Sequence, residues 1–221
     1  MTETPKDVAA VAALEEPTRR RLYEMVSAAA EPVSRDEAAE ALDLPRSNAA
    51  FHLDRMVEQG LLDVVYARRS GRSGPGAGRP AKLYRRSARE ISVNLPERRY
   101  DLAGRLLAGA IERAAHTGES APDILAEHAR EAGVELGRSA EPAPTGEILR
   151  RLGFEPSEAD GRIRLGNCPF HALAADYPDT VCRMNLHLLE GMLESVDDAG
   201  WVARPDPEPG PCCIRLEQAA S

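Results

Sequence analysis

Residues 34–60 read SRDEAAEALDLPRSNAAFHLDRMVEQG, a pattern that predicts two short helices joined by a tight corner. Ser34 is expected to cap the first helix, because Glu37 follows three residues later and completes a capping box. Pro45 ends this helix and begins the next, since proline cannot donate a hydrogen bond inside a helix but is tolerated in its first turn. Gly60 supplies the stop of the second helix. The stretch is therefore predicted to be a helix-turn-helix.

Each predicted helix has an apolar side. In the first helix, the apolar residues at helical spacing are Ala38, Ala41 and Leu42. The second helix is predicted over about residues 46–59, and its expected buried residues are Ala49, Leu53, Met56 and Val57. The opposite face of the second helix carries Arg46, Ser47, Asn48, Phe51, His52 and Arg55.

The segment that follows is strongly basic. Residues 64–89 contain eight Lys or Arg side chains and no Asp or Glu. Residues 61–67 and 81–86 are predicted to be partner strands, joined by a glycine-rich tip at residues 70–78. A positive loop between two strands, directly after a candidate recognition helix, is typical of the wing of a winged helix. We expect the wing to lie along a phosphate backbone while the helix enters the major groove. The wing residues predicted to contact DNA are Arg68, Arg69, Arg72, Arg79 and Lys82.

The whole run resembles the ArsR-like winged-helix transcription regulators. The resemblance includes the helix ahead of it, PTRRRL at residues 17–22, and the returning strand, GRPAKLY at residues 78–84. It implies a regulator, acting as a repressor, that binds a double-stranded DNA operator. The six polar-face residues of the second helix are then DNA-binding candidates as well. The alternative is a winged helix used for protein contacts alone, which leaves the acid-free wing without a polyanion to bind.

Charge is divided unevenly along the 221 residues, which are enough for two modest domains. The net charge is −8, but residues 1–90 hold 15 basic and 14 acidic side chains, whereas residues 91–221 hold 13 and 22. The acidic half would repel DNA and confine the contact to one surface. Without a long apolar run or a signal peptide, the protein is expected to be cytoplasmic. In that reducing compartment, four cysteines favour metal ligands or redox thiols over disulfides.

The predicted fold class is α+β, in three parts. Residues 1–90 form a winged helix-turn-helix, residues 91–120 a linker and candidate dimerisation helix, and residues 121–221 a cysteine-containing sensor domain. The long helix is predicted over residues 98–116, with Leu102, Leu106, Ala110 and Ile111 as its apolar stripe. We expect it to join a homodimer, because two half-sites multiply a modest single-site affinity; the alternative is an ordinary core helix. Helices are predicted further on at residues 121–137, 145–152 (capped by Thr145) and 179–195, and strands at 154–156, 162–167, 201–204 and from 212 onwards.

The four cysteines lie at the ends of these predicted elements. Cys168 follows a strand, Cys182 lies near the start of a helix, and Cys212 and Cys213 open the last strand. Thirteen residues separate the first two cysteines and 29 separate Cys182 from Cys212, so the pattern is not that of a CxxC zinc ribbon. Because adjacent side chains on a strand point to opposite faces, Cys212 and Cys213 are not expected to face one cluster unless a bulge intervenes.

This half is similar to the sensor domain of the SufR-type iron–sulfur-responsive repressors. The shared pattern is a Cys-Pro-x-x-His corner, a cysteine after a Tyr-Pro segment, and a last cysteine after a Gly-x turn. In this sequence the pattern falls on Cys168, Pro169 and His171; on Tyr177, Pro178 and Cys182; and on Gly210 with Cys212 or Cys213. The resemblance implies an iron–sulfur cluster held by Cys168, Cys182, Cys212 and Cys213, with His171 as an alternative fourth ligand.

Other hypotheses remain open for this half. Zinc in a site of three cysteines and a histidine is one, and cysteines that are merely small buried side chains are another. A third is a winged-helix regulator whose C-terminal domain binds a small apolar ligand. An enzyme with Cys168 as nucleophile and His171 as base is the least favoured, since an enzyme has no need of the wing.

Overall fold

The structure is a computed structural model that describes residues 5–67, 80–196, 200–206, 208 and 210–219. The chain forms two compact units, of which the first ends at Val93 and the second begins at Asn94. The predicted α+β class is confirmed. Within the described ranges, no helix is both long enough and apolar enough to cross a membrane.

Helices and one small sheet make up the described part of the N-terminal unit. In chain order the elements are α1 (Pro5–Ala13), α2 (Pro17–Ala28), β1 (Val33–Ser34), α3 (Arg35–Leu42), α4 (Arg46–Glu58), β2 (Leu62–Ala67) and β3 (Ala81–Arg86). The sheet has the order β1-β3-β2, and both pairings are antiparallel. The strand β1 was not predicted, because two residues are too few to show the alternation of a strand.

The capping box at the start of α3 is confirmed. The Glu37 N–H donates to Ser34 Oγ at 3.2 Å, and the Ser34 N–H donates to Glu37 Oε2 at 2.8 Å. The predicted apolar side of α3 is corrected, since Ala38 and Ala39 are buried and Ala41 is exposed. On α4 the predicted Ala49, Leu53 and Met56 are buried, whereas Val57 is half-buried.

The wing strands pair along their whole length, from Leu62 opposite Arg86 to Ala67 opposite Ala81. The two strand predictions are confirmed to within one residue. The predicted tip at residues 70–78 lies outside the described residues. The same holds for four of the predicted DNA-contacting side chains, Arg68, Arg69, Arg72 and Arg79.

Five helices and a four-stranded sheet make up the described part of the C-terminal unit. The elements are α5 (Tyr100–Thr117), α6 (Ala121–Ser139), α7 (Thr145–Arg151), β4 (Pro156–Ala159), β5 (Arg162–Leu165), α8 (His171–Asp176), α9 (Pro178–Glu194), β6 (Trp201–Pro205) and β7 (Ile214–Gln218). The strand order is β4-β5-β7-β6, with each neighbouring pair antiparallel.

The centre of this unit is a close crossing of α6 and α9. Gly133 and Gly137 of α6 and Gly191 of α9 are buried at the crossing. A Cβ added at Gly133 would overlap the carbonyl oxygen of Leu188, and one added at Gly191 would overlap that of Arg130. Glycine is required here because the two backbones approach more closely than any side chain allows.

Four predictions in this unit are corrected. The strand predicted at residues 154–156 lies instead at Pro156–Ala159. The buried stripe of α5, which packs on α6, is Ala103, Leu106 and Ala110, whereas Ile111 is 64% exposed. Thr145 is the first residue of α7 rather than its cap, which is Pro144. The last strand begins at Ile214, so Cys212 and Cys213 precede it in irregular backbone.

Candidate functional site

The open face of α4 presents side chains for contact with a duplex. Ser47, Phe51 and Arg55, spaced four residues apart, are all exposed, and the exposed fraction of Phe51 is 65%. Arg46 is also exposed at the start of the helix and forms an ion pair with Asp36 of α3. The side chains predicted here thus form one accessible stripe, which suits the base edges and methyl groups of a major groove.

Two other predicted base readers are less accessible. Asn48 is half-buried, and the His52 side chain is 13% exposed with Nδ1 3.6 Å from Glu16 Oε2. Glu16 is the N-cap of α2 and also accepts hydrogen bonds from the backbone N–H groups of Thr18 and Arg19, at 2.9 and 2.7 Å. His52 therefore lies between α4 and the start of α2. Glu16 was not predicted from the sequence, although an acid directly before a helix-starting proline is a detectable cap signal.

Lys82, the described member of the predicted wing contacts, bridges the wing to the recognition helix. Its Nζ lies 2.5 Å from Asp54 Oδ1 on α4 and 5.3 Å from the centroid of the Tyr84 ring. Tyr84 Oη donates to the same oxygen of Asp54 at 2.7 Å. Burial raises the pKa of Asp54, but the hydrogen bonds from Lys82 and Tyr84 outweigh it, and the net shift is downward. A carboxylate held ionised by two donors fixes strand β3 against α4.

The sequence of this unit has a family match. Residues 14–65 match the family model of a helix-turn-helix domain. The N-terminal unit carries a helix-turn-helix DNA-binding domain. The match begins three residues before α2 and ends within β2, so it includes the exposed stripe of α4. No curated protein and no solved structure matches the chain.

The C-terminal unit brings its four cysteines together from three separate segments. Cys168 lies in the turn between β5 and α8, Cys182 in the first turns of α9, and Cys212 and Cys213 just before β7. Cys212 hydrogen-bonds to Cys168 and to Cys213, and Cys213 hydrogen-bonds to Cys182. We call these four residues the thiol cluster. The hydrogen bonds between segments thus join Cys168 with Cys212 and Cys182 with Cys213, which are far apart in the sequence.

The cluster divides into two acceptors and two donors. Hydrogen bonding from Cys212 lowers the pKa of Cys168 against the effect of burial, and the Phe170 N–H and the nearby Arg98 guanidinium lower it further. Hydrogen bonds from Cys212 and Cys182 lower the pKa of Cys213 to about 6. Burial and donation to Cys213 raise the pKa of Cys182 to about 12. The pKa of Cys212 is also raised, because it donates to both Cys168 and Cys213 and is buried. Hydrogen bonds from two of the four thiols therefore lower the pKa of the other two.

The expectation that Cys212 and Cys213 face opposite ways does not apply in the fold. The alternation of side chains holds within a strand, and both residues precede Ile214, the first residue of β7. In this irregular backbone, Cys212 reaches Cys168 while Cys213 reaches Cys182. No strand bulge is needed for the pair to join one cluster.

Two further side chains near the cluster differ in their surroundings. Asn185 on α9 is 1% exposed, its Nδ2 lies 3.8 Å from Cys212 Sγ, and within the described part of the chain its Oδ1 has no hydrogen-bond partner. His171, the alternative fourth ligand, is the first residue of α8 and its side chain is exposed.

The donor set of the thiol cluster suits a thiophilic metal or an iron–sulfur cluster, since thiolates are the ligands that both prefer. The arrangement of the sulfurs is not that of a metal site, because they hydrogen-bond to one another in a chain from Cys168 through Cys212 and Cys213 to Cys182. In the ranges that the structure covers, no group of three or more His, Cys, Asp or Glu side chains is arranged to hold a metal ion. Metal binding would require the thiol–thiol contacts to be exchanged for bonds to the metal.

Proposed function

We propose that the protein is a homodimeric DNA-binding transcription regulator, acting as a repressor, whose C-terminal unit senses an iron–sulfur cluster or the redox state. The observation that carries the proposal is the gathering of four cysteines from three segments, in a chain whose other unit is a helix-turn-helix DNA-binding domain. Thiol chemistry in one unit and DNA contact in the other are the two parts of a redox-responsive switch.

DNA recognition is assigned to the exposed stripe of α4 and to the wing. Base reading is assigned to Arg46, Ser47 and Phe51, whose side chains are exposed. Contact with the DNA backbone is assigned to Arg55. The wing side chains Arg68, Arg69, Arg72 and Arg79 supply phosphate contacts, and each phosphate contact adds about 0.9 to the slope of log affinity against log salt. Asn48 and His52 are half-buried, so their part in base reading requires a change of side-chain orientation.

Dimer formation is assigned to α5. Gly104, Ala108 and Ile111 are exposed on this helix and offer a small apolar surface to a second copy. The two helix-turn-helix units of a dimer bind half-sites about 34 Å apart on one duplex. A modest change in the distance between these units therefore alters the affinity for DNA. Analytical ultracentrifugation should find a dimer for the natural chain and a monomer for Ile111→Glu, whereas a natural chain that is monomeric at micromolar concentration contradicts the assignment.

The sensing chemistry is assigned to Cys168, Cys182, Cys212 and Cys213. An iron–sulfur cluster bound by these sulfurs would supply a centre that is gained, lost or oxidised with the redox state. The chain contributes two sulfurs whose pKa is lowered by hydrogen bonding, those of Cys168 and Cys213, and a buried amide, Asn185, beside Cys212. Zinc, or a C-terminal unit that binds a small ligand and no cluster, is the alternative.

Anaerobic purification tests the sensing chemistry directly. Iron and sulfide in the protein, with absorbance near ~400 nm, support the cluster, and their loss in Cys168→Ser assigns it to these residues. Zinc without iron supports the alternative site. A natural protein that has neither metal, and whose operator affinity is the same after oxidation by diamide and in Cys168→Ser, contradicts the sensing role.

Neutralising the wing tests DNA binding. Changing Arg68, Arg69, Arg72 and Arg79 together to glutamine should lower the salt slope of duplex binding by about three to four. The matched control carries four neutralised, exposed arginines of the C-terminal unit: Arg105, Arg138, Arg150 and Arg183. Unchanged affinity in the wing variant contradicts the proposal, and an equal loss in the control would show a non-specific effect of charge.

A further inference from the structure

The turn that carries Cys168 is hydrogen-bonded to the segment that leads into α5. The Arg99 N–H donates to Pro169 O at 3.0 Å, and Arg98 Nη1 donates to Cys168 O at 3.1 Å. We call residues 167–170 the thiol turn and residues 97–99 the linker segment. The backbone carbonyls of Cys168 and Pro169 thus accept hydrogen bonds from successive residues of the linker segment, Arg98 and Arg99.

Asn167 reinforces this contact from inside. It is 5% exposed, and its Oδ1 accepts a hydrogen bond from Arg98 Nη1. Its Nδ2 donates to Glu97 O at 3.3 Å and to Gly153 O at 2.6 Å. Burying the side-chain amide of Asn167 is unfavourable unless both its oxygen and its nitrogen keep their hydrogen bonds, because each lost partner leaves a desolvated polar atom. Asn167 is therefore a bridge between the two segments.

The same short turn also positions the reactive sulfur. Cys168 is buried, its sulfur accepts a hydrogen bond from the Phe170 N–H, and Cys212 is its neighbour. A new covalent bond at this sulfur has to be accommodated by residues 167–170, because the side chain is short and the site is packed. Those residues supply the carbonyls and the amide that hold the linker segment.

The linker segment has a particular place in the chain. It lies a few residues after Val93, where the first unit ends, and directly before Tyr100, where α5 begins. Weaker hydrogen bonding of residues 97–99 to the thiol turn therefore affects the connection between the helix-turn-helix unit and α5.

We propose that Asn167 and Arg98 couple the state of Cys168 to the linker segment. The inference rests on the proposed sensing function and assigns its transmission to these two positioning residues. When Cys168 and Cys212 are oxidised by diamide, each loses one hydrogen, the S–S bond forms, and the N=N bond of diamide takes up both hydrogens with the two electrons. The disulfide displaces the thiol turn, and the hydrogen bonds to residues 97–99 weaken.

Hydrogen exchange of the full chain, followed by mass spectrometry, tests the coupling without DNA. The peptide that covers residues 97–103 should exchange about threefold faster or more after diamide treatment, because the Arg99 N–H loses its bond to Pro169 O. In Asn167→Ala this peptide should exchange fast in both states. Arg98→Lys, which keeps the charge and removes the guanidinium fork, should give the same result if the alanine variant fails to fold. The control is Arg105→Lys on the exposed face of α5, which should behave as the natural chain.

Two outcomes overturn the coupling. One is equal exchange of residues 97–103 in the reduced and oxidised natural chain, with the Cys168–Cys212 disulfide verified by peptide mass, or a failure of that disulfide to form. The other is an oxidation response of DNA affinity that is as large in Arg98→Lys as in the natural chain; sensing would then stand without this route. If exchange responds to diamide and DNA affinity does not, the coupling stands and the proposed sensing function fails.

Discussion

Tyr84 Oη donates a 2.7 Å hydrogen bond to Asp54 Oδ1, which joins the wing strand β3 to the recognition helix α4. Tyr84 is 1% exposed, so its hydroxyl has no ready access to water as a substitute. Lys82 binds the same oxygen from the same strand. The angle between helix and wing is thus set by one carboxylate with two donors, and a domain that docks both elements on one duplex depends on that angle.

Removing the tyrosine hydroxyl should weaken the N-terminal unit. Tyr84→Phe is expected to lower the free energy of unfolding by about 1–2 kcal/mol, because a hydrogen bond to a charged acceptor is lost while the ring still fills its site. Urea denaturation followed by circular dichroism measures the change. The control is Tyr66→Phe on β2, where the side chain is 64% exposed. Equal effects of the two substitutions would contradict the assigned role of the Asp54 contact.

The Asp54 contact should also depend on pH. The pKa of Asp54 is lowered from 3.8 in the folded chain, so its contribution to stability is present above 3.8 and is lost as the pH falls through the lower folded value. Asp54→Asn is therefore expected to destabilise the protein most near neutral pH and progressively less below pH 3.8. Urea denaturation of both proteins across this range measures the difference, and a difference that does not change with pH contradicts the linkage.

Closely packed glycines should make the α6–α9 crossing intolerant of a methyl group. Gly133→Ala places a Cβ against the carbonyl oxygen of Leu188, which is backbone and cannot rotate away, and should cost about 3 kcal/mol of unfolding free energy. Gly146→Ala on α7 is the matched control, because the nearest atom to its added Cβ is Arg150 Nη1 at 4.0 Å. The control should be neutral or stabilising by up to about 1 kcal/mol, since alanine favours helix more than glycine does. Thermal unfolding measures the stability of both variants. A Gly133→Ala variant as stable as the natural chain would show that the two helices lie further apart.

An exposed aromatic on the recognition helix should matter for DNA and not for folding. Phe51→Ala is expected to reduce affinity for a selected genomic operator fragment about tenfold, through loss of apolar contact with a thymine methyl group or a base edge. Its melting temperature should stay near that of the natural chain, because Phe51 is 65% exposed. Val11→Ala, which shortens another exposed apolar side chain of the same unit, is the control. Fluorescence anisotropy measures the affinity, and an unchanged value removes Phe51 from the interface.

Local signals in the sequence were sufficient for most of the N-terminal unit. The pairing of Ser34 with Glu37 and the position of Pro45 correctly predicted where α3 and α4 begin, because capping and the missing proline N–H act within a few residues. The same kind of signal failed at Thr145, where a residue suited to capping lies one position inside the helix. It also failed at Ile111, because an apolar stripe does not indicate which of its members meets α6.

For the candidate sites, the sequence predicted which residues take part, but it did not predict which other residues contact them in the fold. The cysteines and the basic hairpin were evident from spacing and charge. The burial of His52 against Glu16, the capture of Lys82 by Asp54 and the closeness of Asn185 to Cys212 were not, since each joins residues at least 27 positions apart. Contacts of that range depend on how elements pack, which periodicity within one element does not report.

By itself, the sequence determined the helix-turn-helix with its acid-free wing and the acidic half with four separated cysteines, because caps, breakers, periodicity and charge are local properties. The tertiary structure alone decided that Cys168 and Cys212 are neighbours, that Cys212 and Cys213 both join the cluster, and that Asn167 bonds to Arg98. These contacts exist because α6 and α9 cross at glycines and an antiparallel sheet returns the chain beside β5. Burial and mutual hydrogen bonding, which adjust the cysteine pKa values, arise only when those elements are assembled.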